Sequence, residues 1–112
     1  MSHVLTADGG TESLRVRIYD LDGRCVASHA EPYETKFMAG ARAEQNAEDW
    51  WSSLVTATQI CLKEANISGD AIDAMAYATT CCTVVALDKN GAPLRPALMW
   101  MDVRADKEAE AV

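Results

Sequence analysis

From Ala47 to about Ala65, the residues Trp51, Leu54, Val55, Thr58, Cys61, Leu62 and Ala65 recur at i, i+3, i+4 and i+7. Glu48, Asp49, Ser52, Gln59, Lys63 and Glu64 mostly occupy the other side. This spacing predicts an amphipathic helix with one face buried. Asn46 is suited to cap its start, because its side-chain oxygen can accept an N–H that has no partner within the helix. Glu48 and Asp49 then fall in the first turn, where negative charge suits the helix dipole.

The flanking segments read as strands and turns. His3 to Ala7 and Leu14 to Tyr19 enclose Asp8-Gly9-Gly10-Thr11-Glu12-Ser13, a hairpin tip in which glycine is expected to take a positive φ. Leu14 to Tyr19 and Arg24 to Ala30 enclose a second tight turn, Asp20-Leu21-Asp22-Gly23. Between Glu31 and Gln45, Pro32, Gly40 and weak periodicity predict an irregular connection. After Ser68-Gly69-Asp70, Ile72 to Thr79 reads as a buried strand. Thr83 to Leu87 with Leu94 to Trp100 then reads as a hairpin around Asp88-Lys89-Asn90-Gly91. Three strands, a crossover helix and another strand predict a mixed α/β architecture, with the Ile72 strand parallel to a central neighbour and Asp8 at one end of the sheet.

Composition narrows the class. Ten Lys+Arg against seventeen Asp+Glu give a formal net charge of −7, and no basic stripe interleaved with aromatics tracks a nucleic-acid backbone. Hydrophobic residues make up 49% of the chain, without a long apolar run or the basic and apolar regions of a signal peptide. A cytoplasmic protein with no nucleic-acid or membrane partner is expected. The cysteines at 25, 61, 81 and 82 show neither C-x-x-C spacing nor the density of a disulfide scaffold, and are expected reduced. A calcium loop starting at Asp20 is excluded because Cys25 stands where its sixth position requires glycine.

Three segments carry candidate chemistry. In the turn from Asp8 to Ser13, backbone N–H groups can meet a phosphate, and Asp8 fits beside that anion if a cation such as hydrated Mg²⁺ stands between them. A glycine hairpin with a solvated Asp is the alternative. In Trp100-Met101-Asp102-Val103-Arg104, an indole face can pack on the C–H face of a sugar while a carboxylate and a guanidinium bind hydroxyls. A core Trp beside a surface Asp–Arg pair has the same residue pattern. Cys81-Cys82 after a strand is most simply core packing, and Trp50-Trp51 at a helix start reads as structural.

The ordered set Asp8-Gly9-Gly10-Thr11-Glu12-Ser13-Leu14-Arg15, Tyr19-Asp20 with Asp22-Gly23, Glu44-Gln45 before Trp50-Trp51, Leu87-Asp88, Gly91, Pro93 to Ala97 and Trp100 to Arg104 resembles the amino-terminal part of an FGGY-family carbohydrate kinase, over roughly Val4 to Asp106. The resemblance implies an α/β fold of the ribonuclease-H-like, actin-like ATPase kind, a mixed sheet with a crossover helix forming an incomplete first lobe. It implies ATP and Mg as cofactors and a pentulose or related sugar or polyol as acceptor. Phosphate binding falls to Asp8, Gly10, Thr11 and Arg15, with Asp8 also serving the metal. Sugar binding falls to Cys81, Cys82, Trp100 and Asp102. Cys81-Cys82 occupy the place where glycerol kinases carry Arg-Glu and xylulose kinases Met-His, and two thiols supply weaker hydrogen bonds than either pair.

Members of that family carry two lobes, so residues 1–112 are expected to be a fragment, a partial amino-terminal lobe that is inactive alone, with the catalytic base beyond Val112. Ala105 to Val112 reads as the opening of a helix. Two other readings stand beside this one, a non-catalytic interaction module that includes a self-associating homo-oligomer, and a fragment of another actin-like ATPase.

Overall fold

The computed structural model describes residues 2–112. Its main sheet has the order β3-β2-β1-β6, formed by β1 (His3–Gly9), β2 (Ser13–Asp20), β3 (Cys25–Pro32) and β6 (Ile72–Thr79). The first three strands form an antiparallel meander. The helix α1 (Ala47–Ala65) then crosses over, and β6 runs parallel to β1. This is a mixed sheet with a crossover helix of the ribonuclease-H-like kind.

Strand period decides which side chains meet α1. Leu5, Ala7, Leu14, Val16, Ile18 and Ala27 all lie within the core cluster. Leu5 opposes Ile18 and Ala7 opposes Val16 across the β1–β2 ladder. Full burial of Leu14, Val16 and Ile18 stabilises the fold by about 1.5–3 kcal/mol each relative to exposure. The opposite sheet face carries Thr6 across from Arg17 and Asp8 across from Arg15.

The helix has the expected bounds, and Asn46 accepts a hydrogen bond from Glu48 N–H (3.3 Å). Its buried seam is rotated from the expected one. Ser53, Ala57 and Cys61 point inward, Leu54 and Leu62 flank them, and Trp51 is 65% exposed. Small side chains at i, i+4 and i+8 let the helix lie close on β2 and β3, where Cys61 Sγ reaches the Val16 carbonyl (3.5 Å).

Other expectations are corrected. The span from 31 to 45 contains β4 (Lys36–Met38) and β5 (Arg42–Gln45), which join β7 (Ala97–Leu98) in a second sheet of order β4-β5-β7. The expected hairpin from Thr83 to Trp100 is an antiparallel excursion held by two isolated bridges, Val84 to Leu98 and Leu87 to Pro93. Its turn has the anticipated chemistry, with Gly91 at φ +84° and the Asp88 carboxylate accepting from Asn90 and Ala92 N–H. Beyond Ile72, the strand expected to be buried is exposed, with Met75 and Tyr77 half open at the sheet edge. A short helix α2 (Asp106–Glu110) follows the last turn. Among the described residues no helix is long and apolar enough to cross a membrane.

Candidate active site

The turn joining β1 to β2 is held from behind at each carbonyl. Gly9 O accepts from Thr80 N–H (3.2 Å) and Thr79 Oγ1 (3.3 Å). The Tyr33 hydroxyl sits between Gly10 O and Ser13 O and can donate to either, while Tyr33 N–H donates to Glu12 O (3.1 Å). Thr11 O accepts from Gln45 Nε2 (2.6 Å) and Thr35 Oγ1 (3.5 Å). Gly10 N–H closes the turn onto Ser13 O (3.0 Å). Among the described residues, Thr11 N–H and Glu12 N–H have no protein acceptor, which leaves two backbone donors available to an anion.

Neither glycine of the turn has the positive φ expected of it; among described glycines that conformation belongs to Gly23, Gly40 and Gly91. Close approach explains Gly9 instead. A Cβ there would lie 2.9 Å from Tyr77 Oη and 3.2 Å from Thr79 Oγ1, and one on Gly10 would lie 3.2 Å from Ser13 O.

Two open clefts meet at this turn. One, of about 440 Å³, is lined by Asp8, Gly10, Thr11, Glu12, Arg15 and Trp100. The other, of about 360 Å³, is lined by Thr11, Thr80, Cys81, Cys82 and Trp100. Trp100 therefore borders both, and its indole N–H donates to Thr11 Oγ1 (3.2 Å). It is 52% exposed, unlike a core tryptophan.

Beneath the turn, burial, then Tyr77 and then Asp8 push the Tyr33 phenol up to about 12. Burial and Asp8 also raise Tyr77. Both rings remain neutral hydrogen-bond donors at physiological pH. Asp8 and Glu12 are the carboxylates of the first cleft, and no group of three or more potential ligands occurs among the described residues. That donor set suits Mg²⁺, which is commonly held by one or two carboxylates together with phosphate oxygens and water, and does not form a self-sufficient protein cage.

The structure thus brings Asp8, Gly10, Thr11 and Arg15 to one cleft and Cys81 and Cys82 to the adjoining one, with Trp100 between them. Both thiols are exposed, which removes the core-packing alternative, and Cys82 sits at φ +62°. Its side-chain hydrogen bond with Cys81, which favours the protonated thiol, is the main cause of a raised Cys82 thiol.

Asp102 lines neither cleft. Its side chain is 4% exposed and accepts from Ala43 N–H (2.8 Å) and, through two points, from Arg104 Nε (2.8 Å) and Nη2 (2.6 Å). Hydrogen bonding from Arg104 holds that carboxyl well below the usual range, against an opposing effect of burial. Arg104 and Arg95 also reach Glu44 Oε1, at 2.9 and 2.6 Å. Sequence reasoning assigned no site role to Tyr33, Thr79 or Gln45. Only the Glu44-Gln45 pair ahead of Trp50 marked that region.

The mixed sheet with its crossover helix defines an α/β protein of the ribonuclease-H-like kind, with a turn carrying two free amides at the sheet end beside a tryptophan-walled cleft. The chain belongs to the FGGY family of carbohydrate kinases, whose N-terminal domain matches residues 3–112. It is 32% identical over 104 residues to glycerol kinase 1 of Streptomyces avermitilis, covering 92% of this chain and 20% of that protein. It superposes on ligand-bound xylulose kinase from Lactobacillus acidophilus with a TM-score of 0.90 at 19% identity, over 99% of this chain and 22% of that one. For glycerol kinase from Plasmodium falciparum with ADP, the TM-score is 0.84 at 22% identity, over 99% and 22% of the two chains. The chain spans about a fifth of the length of these relatives.

Proposed function

We propose that these residues form the phosphate side and part of the sugar wall of a kinase that transfers the γ-phosphoryl of MgATP to a hydroxyl of a pentulose or related sugar or polyol. The observation that carries this reading is Trp100, whose ring borders both clefts and whose indole N–H is tied to the phosphate turn. A sugar packed on that ring would lie next to the anion-binding amides, as in-line transfer requires. The relatives named as glycerol and xylulose kinases support the acceptor class, and the one solved with ADP supports the nucleotide.

In this mechanism the free Thr11 and Glu12 amides and Arg15 receive phosphate oxygens, and the fixed turn keeps those donors oriented as charge develops. Asp8 would hold Mg²⁺, which supplies charge neutralisation at the phosphates. Cys81, Cys82 and Thr80 shape the sugar side with weak thiol and hydroxyl hydrogen bonds. This reading assigns no residue at either cleft to accept the hydroxyl proton, and the expected result for the 112-residue chain with MgATP and a sugar panel is no turnover.

The test is Trp100→Ala in the full product of the encoding gene, titrated calorimetrically with pentuloses, hexuloses and polyols. Weakened binding of the preferred sugar with nucleotide binding retained is the expected result. Unchanged affinity for every sugar, with only a lowered Tm, would withdraw the sugar-wall role.

A further inference from the structure

Gln45 is 3% exposed, and its amide is used at both ends. Oε1 accepts the indole N–H of Trp50 (2.8 Å) from the first turns of α1. Nε2 donates to Thr11 O (2.6 Å) and to Thr35 Oγ1 (2.6 Å). The next link along the chain of bonds is Trp100 Nε1 to Thr11 Oγ1 (3.2 Å). One buried amide therefore connects the helix to the turn, and the turn connects onward to the tryptophan shared by the two clefts.

We infer that Gln45 is a positioning residue that fixes Thr11 in place and, through Thr11, sets the placement of Trp100. The functional sense of this role rests on the kinase reading above; the physical link does not. The site needs a side chain that accepts from an indole N–H and donates to a carbonyl at once, and a neutral amide does both at every ordinary pH. A carboxylate keeps the acceptor but loses the donors. A methionine of similar length loses both. Burial makes either loss costly, since a polar group left without its partner retains its full desolvation penalty.

The inference is tested on the ¹⁵N-labelled 112-residue chain, which has three indole N–H groups. Trp51 is 65% exposed, with no indole acceptor among the described residues, and serves as the internal reference. In the unmodified chain, the Trp50 and Trp100 indole protons should exchange with solvent more slowly than that of Trp51. A Trp100 proton exchanging as fast as that of Trp51 would overturn the inference without any variant.

In Gln45→Glu the Trp50 signal should stay near its original position while the Trp100 signal moves. Gln45→Met should move both. Lowering the pH protonates the Gln45→Glu side chain and restores a donor toward Thr11 O, so the Trp100 signal should return toward its original position. The titratable groups sharing the adjoining cavities are Tyr33 and Tyr77 on one side and Glu34, Lys36, Glu44 and Asp49 on the other. Arg95 and Arg104 pair with Glu44, so Glu34 and Asp49 stand against Lys36, and burial is the main influence that favours the protonated form and brings this reversal into an accessible pH range. A Trp100 signal that ignores Gln45→Glu, or that shifts without recovering in acid, would refute the relay. No ligand is used, so failure of sugar or MgATP binding in the full gene product would count against the proposed function alone.

Discussion

The turn from Gly9 to Ser13 and the loop bearing Cys81-Cys82 face each other across Trp100, yet they are built differently. All five carbonyls of the turn are engaged, partly by side chains from distant strands. The thiol pair is exposed at the end of an edge strand and includes a residue in the left-handed region. A turn that receives phosphate has to hold amide dipoles in one arrangement regardless of the acceptor. A wall that selects among sugars gains from side chains that can change without disturbing the frame. Under the proposed function, rigidity lies on the side common to the chemistry, and tolerance on the side that would distinguish substrates.

The largest effect that would sharpen this contrast is catalytic. Asp8→Asn in the full gene product should lower kcat by about a hundredfold or more, on the scale of other electrostatic deletions, with little change in sugar affinity. Steady-state kinetics on correctly folded enzyme would check it, and normal turnover would remove Asp8 from the phosphate and metal role.

Next in size is the scaffold. Tyr33→Phe leaves the Gly10 and Ser13 carbonyls without the phenol and should destabilise the fold by roughly 1–3 kcal/mol, read as a lowered denaturation midpoint. The same phenol gives a pH test. Its native pKa lies above the ordinary tyrosine value of about 10, so its contribution is complete below pH 10 and is lost as pH rises toward about 12. Tyr33→Phe should flatten that alkaline loss. Asp102 has the opposite sign. Its native pKa is depressed, so its contribution is complete above the ordinary Asp value of about 3.9 and is lost as pH falls through the lower native value. Acid titration of Asp102→Asn should lack this component.

The smallest effect lies at the wall. Cys82→Gly relieves a left-handed residue and should stabilise the fold by about 1 kcal/mol or less, because glycine's greater unfolded-state freedom offsets part of the gain. A loss above 1 kcal/mol in thermal denaturation would mean that the thiol is held as firmly as the turn, and the contrast would fail. Cys82→Ser should alter preference among sugars more than it alters stability.

Periodicity made β1, β2, β3, α1 and the two Asp-Gly or Asn-Gly turns legible, because each is specified by neighbours in sequence. The second sheet was not, since Glu44 pairs with Leu98 and such short strands acquire their structure from a partner more than fifty residues away. Helix limits were read correctly and its face only in part, since Leu54, Cys61, Leu62 and Ala65 meet the core while Trp51 and Val55 are exposed. Ser53 and Ala57 carry little hydrophobic signal, yet their small size suits close packing on the sheet. Ile72 to Thr79 has the composition of a buried strand, but no described element covers it. At the site, the glycine turn and Trp100 stood out by residue type. The Tyr33 and Gln45 supports lie 20–34 residues from the turn groups they bind, a relation that one sequence does not display.

The open edge of β6 bears on how the chain behaves in the test tube. It presents unpaired backbone donors and acceptors beside half-open Met75 and Tyr77, without a lysine or a proline between Ile72 and Thr79 to discourage strand addition. The 112-residue chain handled alone should accordingly aggregate with rising concentration, and Met75→Lys should raise its solubility limit while leaving the turn and its tryptophan intact.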